Sequence, residues 1–145
     1  MSLVIDRFSD KYIFLSNFYR CSVNYKGIIY PTSENAYQAE KCVSIVDKIK
    51  FVNITPGQAK RLGRKIDIVS NWDEIKLGVM RKILEVKFSI PELRALLIRT
   101  EDSLLIEGNY WGDIYWGVYN GVGENWLGRL LMEIRSEIGR ELCQH

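Results

Sequence analysis

A glutamate, a glutamine and a lysine near residue 40 have residue types and a spacing that could support covalent catalysis. Glu34, Gln38 and Lys41 stand at positions i, i+4 and i+7, which share one face of an α-helix. Glu34 falls in the predicted first turn, where the helix dipole favours an ionised carboxylate that can act as a base or accept hydrogen bonds from sugar hydroxyls. Lys41 can be a nucleophile only if burial or neighbours lower its pKa. The alternative, which spacing alone favours, is a solvated helix face.

A second candidate is a cationic segment that could hold a phosphate. Lys60, Arg61, Arg64 and Lys65 place four cations in six positions, and Gly63 allows a ligand to approach closely. Guanidinium groups match phosphate oxygens in a two-pronged geometry. A basic surface helix is the alternative, and this segment by itself favours that alternative.

The third candidate is the segment 108–123, which contains five aromatic residues and five glycines. Aromatic rings beside Asp113 offer stacking surfaces and hydrogen-bond partners for a flat base and a sugar. Aromatics that anchor a long loop are the alternative. We rank function ahead here, because so many glycines would weaken a purely structural element. Trp72 is interpreted as a core anchor or as a further stacking wall.

The elements that must position these groups are mainly helical. Each of the three prolines precedes a predicted helix, a position that proline tolerates. Proline positions, a cap at Thr32 or Ser33, and apolar periodicity in 73–88 and 124–138 predict helices over about 33–42, 57–65, 73–88, 91–98 and 124–138. In the third helix we predict one apolar face and a set of charged residues turned away from it. The apolar face is Ile75, Val79, Ile83 and Val86, and the residues turned away are Lys76, Lys82 and Glu85.

Short strands are predicted between residues 11 and 30. Residues 12–14 are one candidate strand. Residues 23–25 and 28–30 are β-prone runs separated by Lys26 and Gly27, which predicts a hairpin. The sequence therefore predicts an α+β fold, mainly helical, that forms a single domain over 1–145 with a small β hairpin or sheet.

Composition bounds the class of protein. With 20 Lys+Arg against 18 Asp+Glu, the net charge of +2 is far below that of most duplex-binding proteins. The single histidine and three cysteines form no metal-ligand pattern and no disulfide framework, so we expect no metal, no cofactor and a reducing compartment. No signal peptide or membrane span is recognisable, so we expect a cytoplasmic protein without a membrane partner.

Taken together, the motifs resemble those of the NADAR family of YbiA-like N-glycosidases, from about residue 14 to residue 135. The matching motifs are Phe14-Leu-Ser-Asn17-Phe18, Tyr30-Pro-Thr-Ser-Glu34, Tyr37-Gln38-Ala-x-Lys41, Ala59-Lys60-x-x-Gly63-Arg64, Asn71-Trp72, Val79-Met80, Lys87-Phe88, Leu93-Arg94, Thr100-x-Asp102, Glu107-Gly108-Asn109, Trp111-Gly-Asp113-x-x-Trp116-Gly117 and Gly123-x-Asn125-x-Leu127-Gly128-x-Leu130-Leu131-Met132-x-Ile134-Arg135.

The resemblance implies a YbiA-like fold and hydrolysis of an N-glycosidic bond to ribose. The substrates it implies are phosphoribosylamino-pyrimidine intermediates of riboflavin synthesis or ADP-ribosylated guanine. It also implies that Lys41 forms a Schiff base with the anomeric carbon, with Glu34 and Asp113 as the other catalytic residues. The substrate-binding residues expected on this basis are Asn17, Phe18, Tyr37, Gln38, Lys60, Gly63, Arg64, Trp72, Trp116, Gly117 and Asn125.

The expected partner is a small ribosyl-phosphate or ADP-ribosyl substrate, with ADP-ribosylated nucleic acid as a further candidate. The oligomeric state stays open. Two alternatives remain: a non-catalytic ADP-ribose-binding module, and a protein–protein interaction domain that uses the 108–123 loop. Two positions depart from the family pattern. Asn35 stands where many relatives have histidine, and Val69 stands where relatives often have arginine.

Overall fold

A computed structural model describes residues 3–144, which form four short strands, one 3₁₀ helix and six α-helices. The strands are β1 (Val4–Ile5), β2 (Val23–Tyr25), β3 (Ile28–Tyr30) and β4 (Leu104–Leu105). The helices are the 3₁₀ helix Asp10–Leu15 and α1 (Ser33–Ala39), α2 (Ile45–Ile49), α3 (Pro56–Gly63), α4 (Trp72–Lys87), α5 (Pro91–Ile98) and α6 (Trp126–Cys143). The predicted α+β class, mainly helical with little strand, is confirmed.

The chain divides into two compact units. The middle unit, residues 17–89, contains β2, β3 and α1 to α4. The terminal unit, residues 3–16 and 90–144, contains β1, the 3₁₀ helix, α5, β4 and α6. None of the helices within these residues is long and apolar enough to cross a membrane.

Strands β2 and β3 form the predicted antiparallel hairpin of the middle unit. Tyr25 pairs with Ile28 at the end of the ladder, next to the turn. The turn residues Lys26 and Gly27 have positive φ angles of 51° and 87°. A two-residue hairpin turn of type I′ needs this backbone, and glycine adopts it without steric cost. The turn chemistry therefore sets the register that the sequence predicted.

Helix α1 is the buried centre of the middle unit. All seven of its residues are buried, and it contacts the hairpin and helices α2, α3 and α4. Ala36 and Ala39 are fully buried, and their small side chains allow the neighbouring helices to approach closely. The solvent-facing alternative for this segment is therefore wrong, because Glu34 and Gln38 are 8% and 5% exposed.

The buried face of α4 differs from the predicted one. Its buried residues are Trp72, Met80, Ile83, Leu84 and Lys87. Only Ile83 belongs to the predicted apolar face, whose other three members are half-buried. Lys76, predicted to turn away, lies one turn after Trp72 and one turn before Met80, and only 25% of its side chain is exposed. The large Trp72 and Met80 side chains determine which side of α4 faces the interior. Lys76 and Lys87 lie on that same side of the helix.

Lys87 is fully buried in the last turn of α4. Its Nζ lies 5.2 Å from the ring centre of Phe88 and 5.9 Å from that of Tyr19, within cation–π range. Burial lowers its pKa to about 8. A lysine whose folded-state pKa is depressed destabilises the fold below that pKa, where its charge is buried. The free-energy cost of burying the charged amine becomes smaller as pH rises, because the folded state loses the proton before the unfolded state does.

We therefore expect Lys87→Met to stabilise the protein most at pH 7, relative to the unsubstituted chain. That advantage should shrink by about 2–3 kcal/mol by pH 10, at about 1.4 kcal/mol per pKa unit. Urea unfolding of both proteins between pH 7 and 10 measures the difference. Lys82→Met, at an exposed position of the same helix, is the control and should show no such trend. A pH-independent difference for Lys87→Met would contradict the prediction.

The terminal unit is built on a short parallel ladder and the long helix α6. Val4 pairs with Leu104 in β1 and β4, a two-residue ladder too short for alternation to predict. Helix α6 packs against β4 and α5. It buries an apolar stripe, of which Leu127, Leu131 and Ile138 are members, and extends five residues beyond the predicted end at 138.

Two local predictions differ from the structure. Residues 12–14, predicted as a strand, lie in the 3₁₀ helix, where the Tyr12 N–H donates to the Ser9 carbonyl at 3.0 Å. A three-residue β-prone run without a pairing strand is better satisfied by such local bonds. Helix α2 was not predicted. Ser44 caps it by accepting a hydrogen bond from the Asp47 N–H at 3.2 Å, a Ser-x-x-Asp signal that the sequence does contain.

Candidate active site

Asn17 fixes the start of α1, the helix that carries Glu34 and Gln38. Its carbonyl oxygen accepts a hydrogen bond from the Glu34 N–H at 3.0 Å. Its Oδ1 accepts one from the Ser33 hydroxyl at 2.9 Å, and its Nδ2 donates to the Met80 Sδ at 3.5 Å. The buried Asn17 side chain is thus engaged in holding α1, and its substrate contact stays a prediction. Phe18, which follows it, is 44% exposed.

Asn35 explains one of the two departures from the family pattern. Its Nδ2 donates to the carbonyls of Phe51 and Ile54 at 2.8 and 2.9 Å. Its Oδ1 accepts from the Thr32 hydroxyl at 2.5 Å, and its N–H donates to the same Thr32 oxygen at 3.0 Å. Asn35 therefore ties α1 to the chain after α2 and is a structural residue here.

Glu34 and Gln38 are connected one helical turn apart on α1. The Gln38 Nε2 donates to the Glu34 Oε1 at 2.9 Å. Glu34 lies in the first turn of α1, where the helix dipole stabilises its negative charge. The predicted i, i+4 pairing of these side chains is confirmed, and both point into the protein rather than to solvent.

Lys41 lies two residues beyond the end of α1 and is half-buried. Burial, the largest effect, lowers the pKa of its amine, and the charges of Arg64 and Lys76 lower it further. The Glu34 carboxylate opposes them and raises the pKa, and Cys42 has a weaker effect in the same direction. The net result is a lysine with a larger share of neutral, nucleophilic amine than a solvated lysine has.

Two aromatic rings line this part of the middle unit. The Tyr37 ring centre lies 5.9 Å from the Lys41 Nζ and 5.1 Å from the Trp72 ring, tilted by 55°. Trp72 is 5% exposed and opens α4, which supports the core-anchor interpretation of this residue. The Val69 N–H donates to the Lys41 carbonyl at 2.9 Å, so the second departure from the family pattern lies directly beside the candidate nucleophile.

The cations around Lys41 come from two helices. Arg64 is the C-cap residue of α3 and is exposed. Lys60 is half-buried one turn earlier on α3, and its part in a phosphate site stays a prediction. Lys76 of α4 completes the group, with its Nζ 3.4 Å from the Asp73 Oδ1. Lys76 was not among the predicted site residues, although its i+4 spacing from Trp72 indicates that the two side chains share one side of α4. The group is suited to an anionic ligand beside the amine, as a phosphate would be.

In the terminal unit, Asp113 organises the aromatic loop. Its Oδ1 accepts hydrogen bonds from the N–H groups of Tyr115 and Trp116 at 3.0 and 2.9 Å. Asn109 brackets the same residue: its Oδ1 accepts from the Asp113 N–H and its Nδ2 donates to the Asp113 carbonyl. The Trp116 ring packs edge-on against Tyr115, with ring centres 4.8 Å apart. A catalytic role for Asp113 stays a prediction.

Three glycines of this loop have a structural explanation. A side chain at Gly117 would overlap the Glu107 carbonyl, and one at Gly123 would overlap the backbone of Gly117. Asn125 adopts φ 55° before α6, accepts from the Glu107 N–H and donates to the Leu105 carbonyl, both at 2.9 Å. Close packing therefore accounts for Gly108, Gly117 and Gly123, whereas Gly112 and Gly121 adopt positive φ angles of 86° and 77°. Gly117 and Asn125 hold the loop together.

No group of three or more His, Cys, Asp or Glu side chains within residues 3–144 could hold a metal ion.

Comparisons with known proteins agree with this fold. The NADAR domain family model matches residues 5–139. The N-glycosidase YbiA of Shigella boydii is 40% identical over 139 residues, which is 92% of this chain and 86% of that protein. The chloroplastic riboflavin biosynthesis protein PYRR of Zea mays is 38% identical over 125 residues, 75% of this chain and 20% of that protein.

The fold is also similar to a solved structure. The NMR structure of the Escherichia coli protein YbiA matches with a TM-score of 0.89 and 37% identity, over 100% of this chain and 90% of that chain. The chain has the mainly helical α+β fold of YbiA and is an enzyme of the N-glycosidase class. The chain belongs to the NADAR family.

Proposed function

We propose that this protein hydrolyses the N-glycosidic bond between a base and a phosphorylated ribose, through an imine on Lys41. The observation that carries the proposal is the half-buried Lys41 amine, whose pKa is lowered by burial and by Arg64 and Lys76, beside the Glu34 carboxylate. Such an amine is neutral, and so nucleophilic, for a larger share of the time than that of a fully solvated lysine, which is almost entirely protonated at neutral pH.

In the proposed reaction, the neutral Lys41 nitrogen attacks the anomeric carbon. A new C–N bond forms as the bond to the base breaks, and Glu34 accepts the proton that the attacking nitrogen loses and passes it to the departing base. The ribose ring then opens to give an imine and a free hydroxyl. Water adds to the imine carbon, the bond to Lys41 breaks, and the sugar aldehyde leaves with the amine regenerated. The sum is one N-glycoside and one water converted to base and sugar.

The substrate class follows from charge and from the relatives' names. Arg64, Lys60 and Lys76 supply the cations for a phosphate on the sugar, and Arg64 is the strongest candidate because a guanidinium binds phosphate in a bidentate manner. The Zea mays relative is named a riboflavin biosynthesis protein, which favours phosphoribosylamino-pyrimidines. ADP-ribosyl compounds, free or attached to guanine in nucleic acid, present the same sugar and phosphate chemistry and belong in the same test.

Further expectations belong to this proposal. Asp113 is the candidate for a second acid or base, and Trp116 for a stacking surface for the base. A cytoplasmic location is also proposed, because Cys21, Cys42 and Cys143 are all free, as is usual in a reducing compartment.

The test is a mass-spectrometric screen for released base. The purified protein is incubated with phosphoribosylamino-pyrimidines, with free ADP-ribosyl compounds and with ADP-ribosylated guanine oligonucleotides. We expect stoichiometric release of base and sugar from at least one class, and none from the unphosphorylated riboside. Tight binding of ADP-ribose with no base released from any substrate would reject the proposal in favour of a binding module.

A further inference from the structure

Gln38 is a buried amide whose nitrogen has a hydrogen-bond partner and whose oxygen has none. The side chain is 5% exposed, and its Nε2 donates to the Glu34 Oε1 at 2.9 Å. Its Oε1 is buried and has no hydrogen-bond partner. A buried acceptor without a partner typically costs about 1–3 kcal/mol. The protein therefore keeps a destabilising atom at the centre of the middle unit.

Gly63, at the end of α3, closes the far side of this amide. A Cβ at Gly63 would overlap the Gln38 Oε1 and would lie 2.9 Å from the Gln38 Cδ. Only a residue without a side chain lets the amide oxygen lie against the α3 backbone, where a Cα–H group offers at most a weak hydrogen bond. Gly63 thus clamps the amide in place without satisfying it.

The orientation of the amide follows from Glu34. If the amide were reversed, its oxygen would face the Glu34 carboxylate oxygen, and two acceptors would meet in a buried site. The amide orientation that donates a hydrogen bond to Glu34 is therefore the one that leaves the Gln38 Oε1 without a partner. The helical i, i+4 spacing brings Gln38 to Glu34, and the packing of α3 on α1 keeps it there.

We infer that Gln38 and Gly63 are positioning residues that hold the Glu34 carboxylate toward the Lys41 amine. This inference rests on the proposed function of the Glu34–Lys41 pair, and it replaces the predicted substrate contacts of Gln38 and Gly63. A carboxylate that must move a proton to and from a nearby nitrogen acts only within hydrogen-bond reach, so a loose Glu34 would be a poor catalyst.

The first test is Gln38→Met, which keeps the length of the side chain and removes both polar atoms. We expect little change in Tm, because the variant removes the unsatisfied Gln38 Oε1 but also takes a donor from the buried Glu34 Oε1. We also expect kcat to fall about 10- to 100-fold with little change in KM, the loss typical when an outer partner of a reactive group is removed. A residue with a merely structural role would show the reverse, a lower Tm with kcat kept.

The second test measures the pKa of the Lys41 amine without any substrate. The pH dependence of acetylation of Lys41, followed by peptide mass spectrometry, reports its pKa. Because the Glu34 charge raises that pKa, both Gln38→Met and Glu34→Gln should move the titration to lower pH. The other groups that influence the amine, Arg64, Lys76 and Cys42, are unchanged in these variants.

The double variant Glu34→Gln, Gln38→Met should titrate like Glu34→Gln alone, because the two residues act through one carboxylate. An unshifted Lys41 titration in Gln38→Met, or additive shifts in the double variant, would overturn the inference. If the unsubstituted protein released no base at all, the proposed function would fail, yet this titration cycle would still decide the positioning role.

Gly63→Ala tests the clamp. It should destabilise the protein with Gln38 present, since the new methyl group overlaps the amide. In a Gln38→Ala background it should cost far less, because the nearest remaining Gln38 atom, Cβ, lies at an ordinary contact distance of 3.5 Å. Equal losses of Tm in the two backgrounds would show that the amide is not the reason for the glycine and would overturn the role of Gly63.

Discussion

Lys41→Ala is expected to abolish base release, with a fall in kcat of about a thousandfold or more, while the fold is kept. The side chain is half-buried at the end of α1 and belongs to no buried core element, so its truncation leaves the packing of α1 intact. What it removes is the amine that forms the new bond to carbon. Circular dichroism and Tm check the fold, and the mass-spectrometric assay of released base measures kcat.

The control for Lys41→Ala is Lys82→Ala, an exposed lysine of α4 that should leave kcat unchanged. Trapping gives a direct view of the intermediate. Borohydride added during turnover should reduce the imine and leave the sugar's mass on the peptide that contains Lys41, with no adduct in the Lys41→Ala protein. Near-normal turnover by Lys41→Ala would reject the imine mechanism and favour direct attack of water assisted by Glu34 or Asp113.

Glu34→Gln is expected to lower kcat about 100- to 10,000-fold, the usual range for loss of an acid–base group. The substituted amide still accepts the hydrogen bond from Gln38 Nε2, so α1 should fold as before. The variant cannot take the proton from the attacking nitrogen. The remaining activity should also change its pH dependence. Because the Glu34 charge raises the pKa of Lys41, its removal moves the acid-side midpoint of kcat/KM to lower pH.

Glu40→Gln is the matched control for Glu34→Gln. Glu40 is also a buried carboxylate, at the end of the same helix, but its partners are the Lys48 and Lys26 amines at 3.3 and 3.5 Å. Its substitution should lower Tm and leave the pH midpoint of kcat/KM in place. If both variants lost activity equally, without a shift of the midpoint in Glu34→Gln, an acid–base role for Glu34 would be untenable.

Local chemistry made much of the fold predictable. The hairpin follows from Lys26 and Gly27 between two β-prone runs. Proline positions and apolar periodicity located five of the six α-helices, with ends within about five residues, and missed α2. Strands β1 and β4 were missed because a two-residue ladder leaves no pattern in the sequence. The 3₁₀ helix was mistaken for a strand because residue preference says nothing about whether a pairing partner is available.

The sequence by itself determined which residues could do chemistry: the spacing of Glu34, Gln38 and Lys41 and the family motifs around them. Only the tertiary structure decided that Glu34 and Gln38 are buried, that Lys41 is half-buried, and that this burial, together with Arg64 and Lys76, lowers the pKa of Lys41. It also decided that Asn35 is a structural residue. The physical reason is that burial and charge proximity depend on which helices pack against α1, and that packing is a property of residues far apart in the chain.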